Sequence, residues 1–161
     1  MSISKISADE TGQTNITSKP TEVYFSPDGG IRDKIISRIN LSKNSIKIAI
    51  YDLTSGDIAG ALLDAVKHGV DVKIVADLGQ SNGKHSEIGY LRSQGMNVEL
   101  ISGLGRGIMH DKFAIFDGKE VFTGSYNWTN NAEYYNRENA IFISDPEVVG
   151  KYQMQFDRLY K

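Results

Sequence analysis

Hydrophobic and polar residues follow two rhythms along the chain, and these rhythms predict a succession of strands and helices. Ile46, Ile48 and Ile50 recur at every second position, and β-branched residues at that spacing indicate a strand. After Ser55, a residue that favours a helix N-terminus, apolar side chains recur at helical spacing up to Gly69. The same rhythms predict further strands at 21–25, 70–76, 98–101, 113–116, 121–123 and 140–143, and helices at 31–39, 86–94 and after Asp145-Pro146.

This order of elements predicts one α/β domain over residues 21–161. Strands that alternate with helices are typical of a mixed β-sheet with helices on both faces. The run from Val70 to Ala76 is almost wholly apolar, which is typical of a strand buried in the middle of a sheet. Residues 1–20 are rich in Ser, Thr, Lys and Asn without periodicity, so we expect a flexible N-terminal arm.

Composition narrows the function classes. The formal net charge of −2 argues against a globally basic nucleic-acid-binding surface but leaves room for one basic cleft. The absence of cysteine excludes disulfides, thiolate catalysis and zinc sites built on Cys. The chain has no apolar run long enough to span a membrane. We expect no secretory signal in the polar first 20 residues, and the compartment stays open.

The most informative polar pattern is His-x-Lys-x4-Asp-x6-Gly-Ser-x-Asn, which begins at His110. A chance match to it in a chain of this length should arise less than roughly once in ten thousand cases. Asp117-Gly118 lies between two strand-like runs and is a strong signal for a two-residue hairpin turn. That turn predicts a register in which Lys112 faces Thr123 and His110 faces Ser125. The predicted hairpin therefore gathers the polar side chains on one face.

The residue types on this face suit a phosphate. Lys112 offers positive charge, Ser125 and Asn127 offer hydrogen-bond donors, and Gly124 permits close approach of the backbone. His110 in such a patch can act as a nucleophile or as a general acid and base. The residues alone leave these two roles open.

The pattern resembles the signature of the phospholipase D superfamily and, in a short chain, that of its nuclease branch. The resemblance implies a phosphodiesterase that needs no metal or cofactor, in which His110 attacks phosphorus and forms a phosphohistidine. It implies that Lys112 and Asn127 hold the phosphoryl oxygens, with Ser125 as a further donor. Asp117 is the signature's acidic member, and the resemblance gives it mainly a supporting role.

Two residues outside the core pattern are further candidates. Glu138 resembles the family's downstream acid that orients the ring of the nucleophile, where a carboxylate would fix the imidazole tautomer. Arg106 lies in the glycine-rich segment 103–107 before His110 and is available to contact a phosphate. We reject a dinucleotide loop in this segment because the third glycine and the strand-then-helix context are missing.

The single copy of the motif predicts an assembly. The resembling mechanism needs two His-Lys pairs, and neither His68 nor His85 begins a second one. We interpret those two histidines as structural or surface residues. A two-fold homodimer brings two copies of one strand edge together. We therefore expect an obligate C2 dimer with one shared active site that acts on DNA or RNA.

Several alternatives remain. The same residues could serve a phospholipid hydrolase, although the sequence shows no amphipathic interfacial helix, or a catalytically silent nucleic-acid-binding module. A metal held by His110, Asp111 and Asp117 is disfavoured because Lys112 between them would repel a cation. An isolated histidine is usually structural, but one in such a constellation is not.

Aromatic residues that could stack on bases are Trp128, Tyr126, Tyr134 and Tyr135.

Overall fold

The computed structural model describes residues 21–161. In chain order the elements are β1 (Glu22–Phe25), α1 (Ile31–Leu41), β2 (Ser45–Ile50), α2 (Gly56–Lys67), β3 (Asp71–Asp77), α3 (Leu78–Ser81), α4 (Ile88–Ser93), β4 (Asn97–Ile101), β5 (Lys112–Phe116), β6 (Glu120–Gly124), α5 (Asn130–Tyr134), β7 (Asn139–Ile143) and α6 (Pro146–Leu159). The expected arm, residues 1–20, lies outside the described residues. None of the helices described is long and apolar enough to cross a membrane.

The strands form one mixed sheet in the order β1-β7-β6-β5-β2-β3-β4. β2, β3 and β4 run parallel to one another, and helices connect them because a parallel neighbour needs a crossover. The other neighbouring pairs are antiparallel. β5 lies beside β2, so a strand from the second half of the chain meets one from the first half at the middle of the sheet.

Helices cover both faces of this sheet, which confirms the predicted α/β architecture. On one face α1 and α2 bury Ile35 and Leu62 in the larger core. On the other face α6, the one described helix there, buries Phe156 against the middle strands. One helix cannot cover seven strands, and among residues 21–161 nothing else covers the α6 side of edge strand β1, where Val23 is 53% and Phe25 64% exposed.

The hairpin between β5 and β6 forms, but its predicted register is wrong by one residue. Asp117 and Gly118 have φ values of 52° and 65°, and the Lys119 N–H donates to the Phe116 carbonyl oxygen at 2.9 Å, as in a two-residue hairpin turn. The ladder nevertheless pairs Phe116 with Glu120, which leaves Lys119 as an extra, bulged residue. Thr123 consequently faces Phe113, so Lys112 does not face Thr123.

Local signals placed most helix boundaries well. The Ser55 Oγ accepts the Ile58 N–H at 3.4 Å, and Asp145 Oδ1 accepts the N–H groups of Glu147 and Val148, so both predicted caps are confirmed. The short helices α3 and α5 were not predicted. Each is less than two turns long, and an apolar period cannot be recognised over so few residues.

Candidate active site

The backbone before His110 is anchored from β3. Asp77 ends that strand and is 2% exposed. Its Oδ2 accepts the Met109 N–H at 3.0 Å, while its Oδ1 accepts the Gln80 N–H at 2.8 Å and caps α3. One buried carboxylate therefore fixes the residue next to His110 and the start of a helix together.

Tyr51 joins His110 to Lys112 at the end of β2. The Tyr51 N–H donates to the Asp111 carbonyl oxygen at 3.0 Å, which continues the pairing of β2 with β5. The Tyr51 ring lies edge to face against the His110 ring, with centroids 4.6 Å apart. The Lys112 Nζ lies 5.0 Å from the Tyr51 ring centroid and donates to the His110 carbonyl oxygen at 2.7 Å. His110 is exposed, whereas Lys112 is 8% exposed.

The pKa of the Lys112 ammonium is shifted by burial and by three nearby carboxylates. Burial lowers the pKa of Lys112, and the nearby carboxylates of Asp111, Glu138 and Asp52 oppose that shift without reversing it. Burial in turn raises the pKa of Asp52, against a hydrogen bond from Gln80 and the charge of Lys112. A poorly solvated ammonium close to an exposed imidazole gains by binding an anion, because a bound phosphate would replace the missing solvation.

Ser125 and Glu138 form the opposite rim of the site. The Ser125 Oγ donates to Glu138 Oε2 and accepts the Asn139 N–H at 3.1 Å. The other carboxylate oxygen of Glu138 accepts from the Asn136 side chain at 3.0 Å. Glu138 is thus held by Ser125 and Asn136, and the expected hydrogen bond to the His110 ring is not among those that the described residues make.

Gly124 is required by the sheet. Its φ is 151°, and a Cβ there would lie 2.2 Å from the Asn139 carbonyl oxygen. We expected Gly124 to let the backbone approach a phosphate, but the close approach is to β7. Any side chain at position 124 would push β6 away from β7 and move Ser125 with it.

Asn127 lies on a segment locked against the end of β2. The Trp128 N–H donates to the Asp52 carbonyl oxygen at 3.0 Å, and the Trp128 carbonyl oxygen accepts from Thr54 and Ser55. The half-buried Asn127 has a buried Oδ1 that makes no hydrogen bond to the described residues. A buried amide oxygen without a partner is unfavourable by about 1–3 kcal/mol, a cost typical of a group held for function.

Asp117 lies at the far end of β5 from Lys112, at a separation of roughly 15 Å along a five-residue strand. Its carboxylate accepts the N–H groups of Lys43, Asn44 and Ser45. These contacts hold the α1–β2 loop and explain the supporting role. The structure does not place Asp117 at the reacting groups, so its inclusion among the catalytic residues was wrong in that respect. The alternative metal site with His110 and Asp111 is excluded for the same reason.

The aromatic residues considered for base stacking and Arg106, considered for phosphate contact, differ in their exposure to solvent. Trp128 and Tyr126 are fully buried, so stacking of either ring on a base is ruled out. Tyr135 is 78% and Tyr134 51% exposed. Arg106 is exposed in a loop closed by the Gly103 N–H and the Gly107 carbonyl oxygen at 3.2 Å. In the part of the chain that the structure describes, no group of three or more His, Asp or Glu residues is arranged to hold a metal ion.

His68 and His85 are both exposed, as expected of surface residues. His68 is the C-cap residue that follows α2, and its Nδ1 lies 2.7 Å from the Asp64 carbonyl oxygen.

Tyr51, Asp52 and Asp77 also belong to the site, and none of them was predicted from the sequence. All three follow or end an apolar strand, and polar residues there lie at the carboxyl ends of parallel strands, where α/β proteins place their sites. That signal was available from the pattern alone.

Comparison with known proteins agrees with this geometry. Residues 35–160 match the family model described as cardiolipin synthase, PLD-like domain. The chain belongs to the phospholipase D superfamily. This is a superfamily of phosphodiesterases, and the assignment confirms the resemblance drawn from the motif.

Individual relatives of this phospholipase D superfamily member are similar over most of its length. The crystal structure of Nuc from Salmonella typhimurium, a phospholipase D family member, is 35% identical, with a TM-score of 0.80 over 88% of this chain and 93% of that one. NucT from Helicobacter pylori is 34% identical, with a TM-score of 0.82 over 87% and 94%. A mitochondrial cardiolipin hydrolase from Xenopus tropicalis is 35% identical over 80% of this chain, which spans 62% of that protein.

Proposed function

We propose that this protein is a metal-independent endonuclease that hydrolyses phosphodiester bonds of DNA or RNA through a phosphohistidine. The observation that carries the proposal is the pairing of an exposed imidazole, His110, with a poorly solvated ammonium, Lys112, on one strand end. The Ser125 hydroxyl and the Asn127 amide lie on the neighbouring segment. Such a group of donors can hold a phosphoryl group while the imidazole attacks it.

The proposed reaction has two displacements. A ring nitrogen of His110 attacks phosphorus, an N–P bond forms, and the P–O bond to the leaving group breaks as the partner subunit's His110 donates a proton to that oxygen. Water then loses a proton to the partner subunit's His110 and attacks phosphorus, and the N–P bond breaks. Lys112 and Asn127 neutralise and orient the phosphoryl oxygens in both steps. The sequence supplies one His-Lys pair, so the second histidine comes from a second copy of the chain.

A shared site at a two-fold axis is supported by the exposure of His110 and Ser125, which leave the site open on one side. A two-fold axis through this open side would set the two imidazoles on opposite sides of one phosphate. Analytical ultracentrifugation is expected to show a dimer at assay concentrations. A fully active monomer would refute the shared site.

A phospholipid hydrolase is the second candidate. Curated relatives that this chain partly spans are named mitochondrial cardiolipin hydrolases. Near His110, Leu104 is 97% and Ile108 53% exposed, an apolar surface that could touch acyl chains. We favour nucleic acid because the motif beginning at His110 resembles that of the nuclease branch and because Arg106, which is available to a phosphate, lies in the same loop as Leu104.

A substrate panel separates the candidates. Wild type and His110→Ala are incubated with and without EDTA, both with labelled single- and double-stranded oligonucleotides and with vesicles containing phosphatidylcholine or cardiolipin. The proposal predicts cleavage of oligonucleotides by wild type and by the control variant His85→Ala, with none by His110→Ala. Cleavage of lipid alone would establish the second candidate, binding of oligonucleotides without cleavage would indicate a silent binding module, and strong inhibition by EDTA would refute the metal-free mechanism.

A further inference from the structure

A cavity of about 490 Å³ opens where β1 ends and the chain enters β7. Its walls include Phe25, Pro27, Asp28, Arg137, Glu138 and Asn139. The backbone holds these two segments together, because the Ser26 N–H donates to the Glu138 carbonyl oxygen at 3.0 Å and Phe25 pairs with Asn139. The cavity is therefore a fixed feature of the sheet edge.

The cavity shares a wall with the candidate active site. Glu138 and Asn139 line the cavity and also bind the Ser125 Oγ, one through its carboxylate and the other through its backbone N–H. A chain that leaves the phosphate site past Ser125 would enter the cavity directly. The cavity therefore lies where the nucleotide next to the scissile phosphate would be.

The lining has the chemistry of a nucleotide site. The Phe25 ring is 64% exposed because α6 does not extend over β1, and an exposed ring offers a face on which a base can stack. Arg137 is exposed, and its guanidinium makes no ion pair or hydrogen bond with the described residues. A free guanidinium beside an apolar ring suits one phosphate and one base.

We propose that this cavity is a nucleoside subsite for the residue flanking the scissile phosphate, with the base on Phe25 and its outer phosphate on Arg137. The subsite rests on the proposed nuclease function and names its substrate class as a polynucleotide strand. The exposed Asp28 carboxylate at the same wall would repel a phosphate and accept hydrogen bonds from a base amino group. The base therefore lies toward Asp28 and the phosphate toward Arg137.

The test compares two substrates on the dimeric protein. Cleavage of a labelled oligonucleotide depends on the catalytic residues and on the subsite together, whereas bis(p-nitrophenyl) phosphate has neither a nucleobase nor an outer phosphate for the subsite to bind. Phe25→Ala should lower the ratio of the two kcat/KM values about tenfold, mainly through KM for the oligonucleotide, and Phe25→Trp should restore it. Arg137→Ala should lower the same ratio and reduce the salt dependence of oligonucleotide binding by about one charge.

Two matched variants serve as controls. Val23→Ala removes an exposed apolar side chain from the same strand outside the cavity, and Arg92→Ala removes an exposed guanidinium on α4. Both should leave the ratio unchanged.

Anisotropy of a fluorescent oligonucleotide on His110→Ala measures binding without turnover and should weaken with Phe25→Ala. A ratio that is unchanged by Phe25→Ala, with wild type cleaving the oligonucleotide, would overturn the subsite alone. Equal loss on both substrates with dissociation of the dimer would overturn it in favour of an interface role. Wild type that neither cleaves nor binds the oligonucleotide would overturn the nuclease function and the subsite together.

Discussion

Substitution of Asp117 distinguishes a supporting residue from a catalytic one. The carboxylate accepts three backbone N–H groups from the α1–β2 loop at 2.7–3.0 Å, and the residue has a φ of 52°. Asp117→Ala removes those acceptors and places a side chain with little tolerance for positive φ in the turn. Asp117→Asn keeps one acceptor oxygen and a residue that tolerates the turn. The two variants therefore separate the loss of charge from the loss of the whole group.

The contacts of Asp117 determine how much stability each variant should lose. Two of the three donors belong to the exposed residues Lys43 and Asn44 and regain water when the carboxylate is lost, so each hydrogen bond contributes about 1 kcal/mol. The unfavourable φ adds about 1 kcal/mol for alanine. We expect Asp117→Ala to lower the free energy of unfolding by about 4 kcal/mol and Tm by roughly 10 °C, and Asp117→Asn by about 1–2 kcal/mol. Asp157→Asn, an exposed carboxylate on α6, should change it by less than about 0.5 kcal/mol.

The stability that the Asp117 carboxylate contributes should depend on pH. Partial burial raises the pKa of Asp117, but the N–H groups of Asn44, Lys43 and Ser45 lower it further, so its pKa lies below the usual range. A carboxyl whose folded pKa is depressed stabilises fully above its unfolded pKa of about 3.9, and that stabilisation is lost as pH falls through the folded pKa. The difference between wild type and Asp117→Asn should therefore shrink in strongly acidic solution.

Urea unfolding followed by circular dichroism measures the stability, and phosphodiesterase activity well below Tm measures the chemistry. Because Asp117 lies roughly 15 Å from Lys112, the folded variants should retain most of the wild-type kcat. A variant of normal stability with activity reduced a hundredfold or more would refute the reasoning.

Three further predictions concern the site. Tyr51→Phe should retain most activity, whereas Tyr51→Leu should lower kcat about tenfold, because the ring contacts His110 and Lys112; equal activity in steady-state assays of the two would contradict this. Burial lowers the pKa of Lys112, so activity should fall with rising pH below the usual lysine range, and an alkaline limb at that usual range would argue against it. Gly124→Ala should destabilise the fold by at least about 3 kcal/mol in thermal melts, and a near-native melt would show that β6 and β7 can separate.

Features that depend on neighbouring residues in sequence could be predicted. Ser55 and Asp145 reveal helix starts because a cap needs only the next three residues, and Val70 to Ala76 reveals a buried strand by composition alone. The pattern beginning at His110 identifies the family because its spacing is rare. These signals together were sufficient for the α/β architecture.

Features that depend on distant residues could not be predicted in the same way. Tyr51 meets His110 only because β2 and β5 are neighbours, a pairing between segments about 60 residues apart. The hairpin register is a local feature that was wrong for another reason, because Lys119 bulges from a turn that otherwise has the expected form. Trp128 is buried because its backbone pairs with Leu53, so the aromatic residue that follows the motif packs in the core.

Subunit mixing tests the claim that one motif acts with its own copy. Wild type and His110→Ala are unfolded together, refolded at equal amounts, and assayed at constant total protein. If both histidines serve one site, only wild-type homodimers turn over, and random association gives about a quarter of the activity of wild type alone. Activity of about half would show that each chain works independently and would contradict the account.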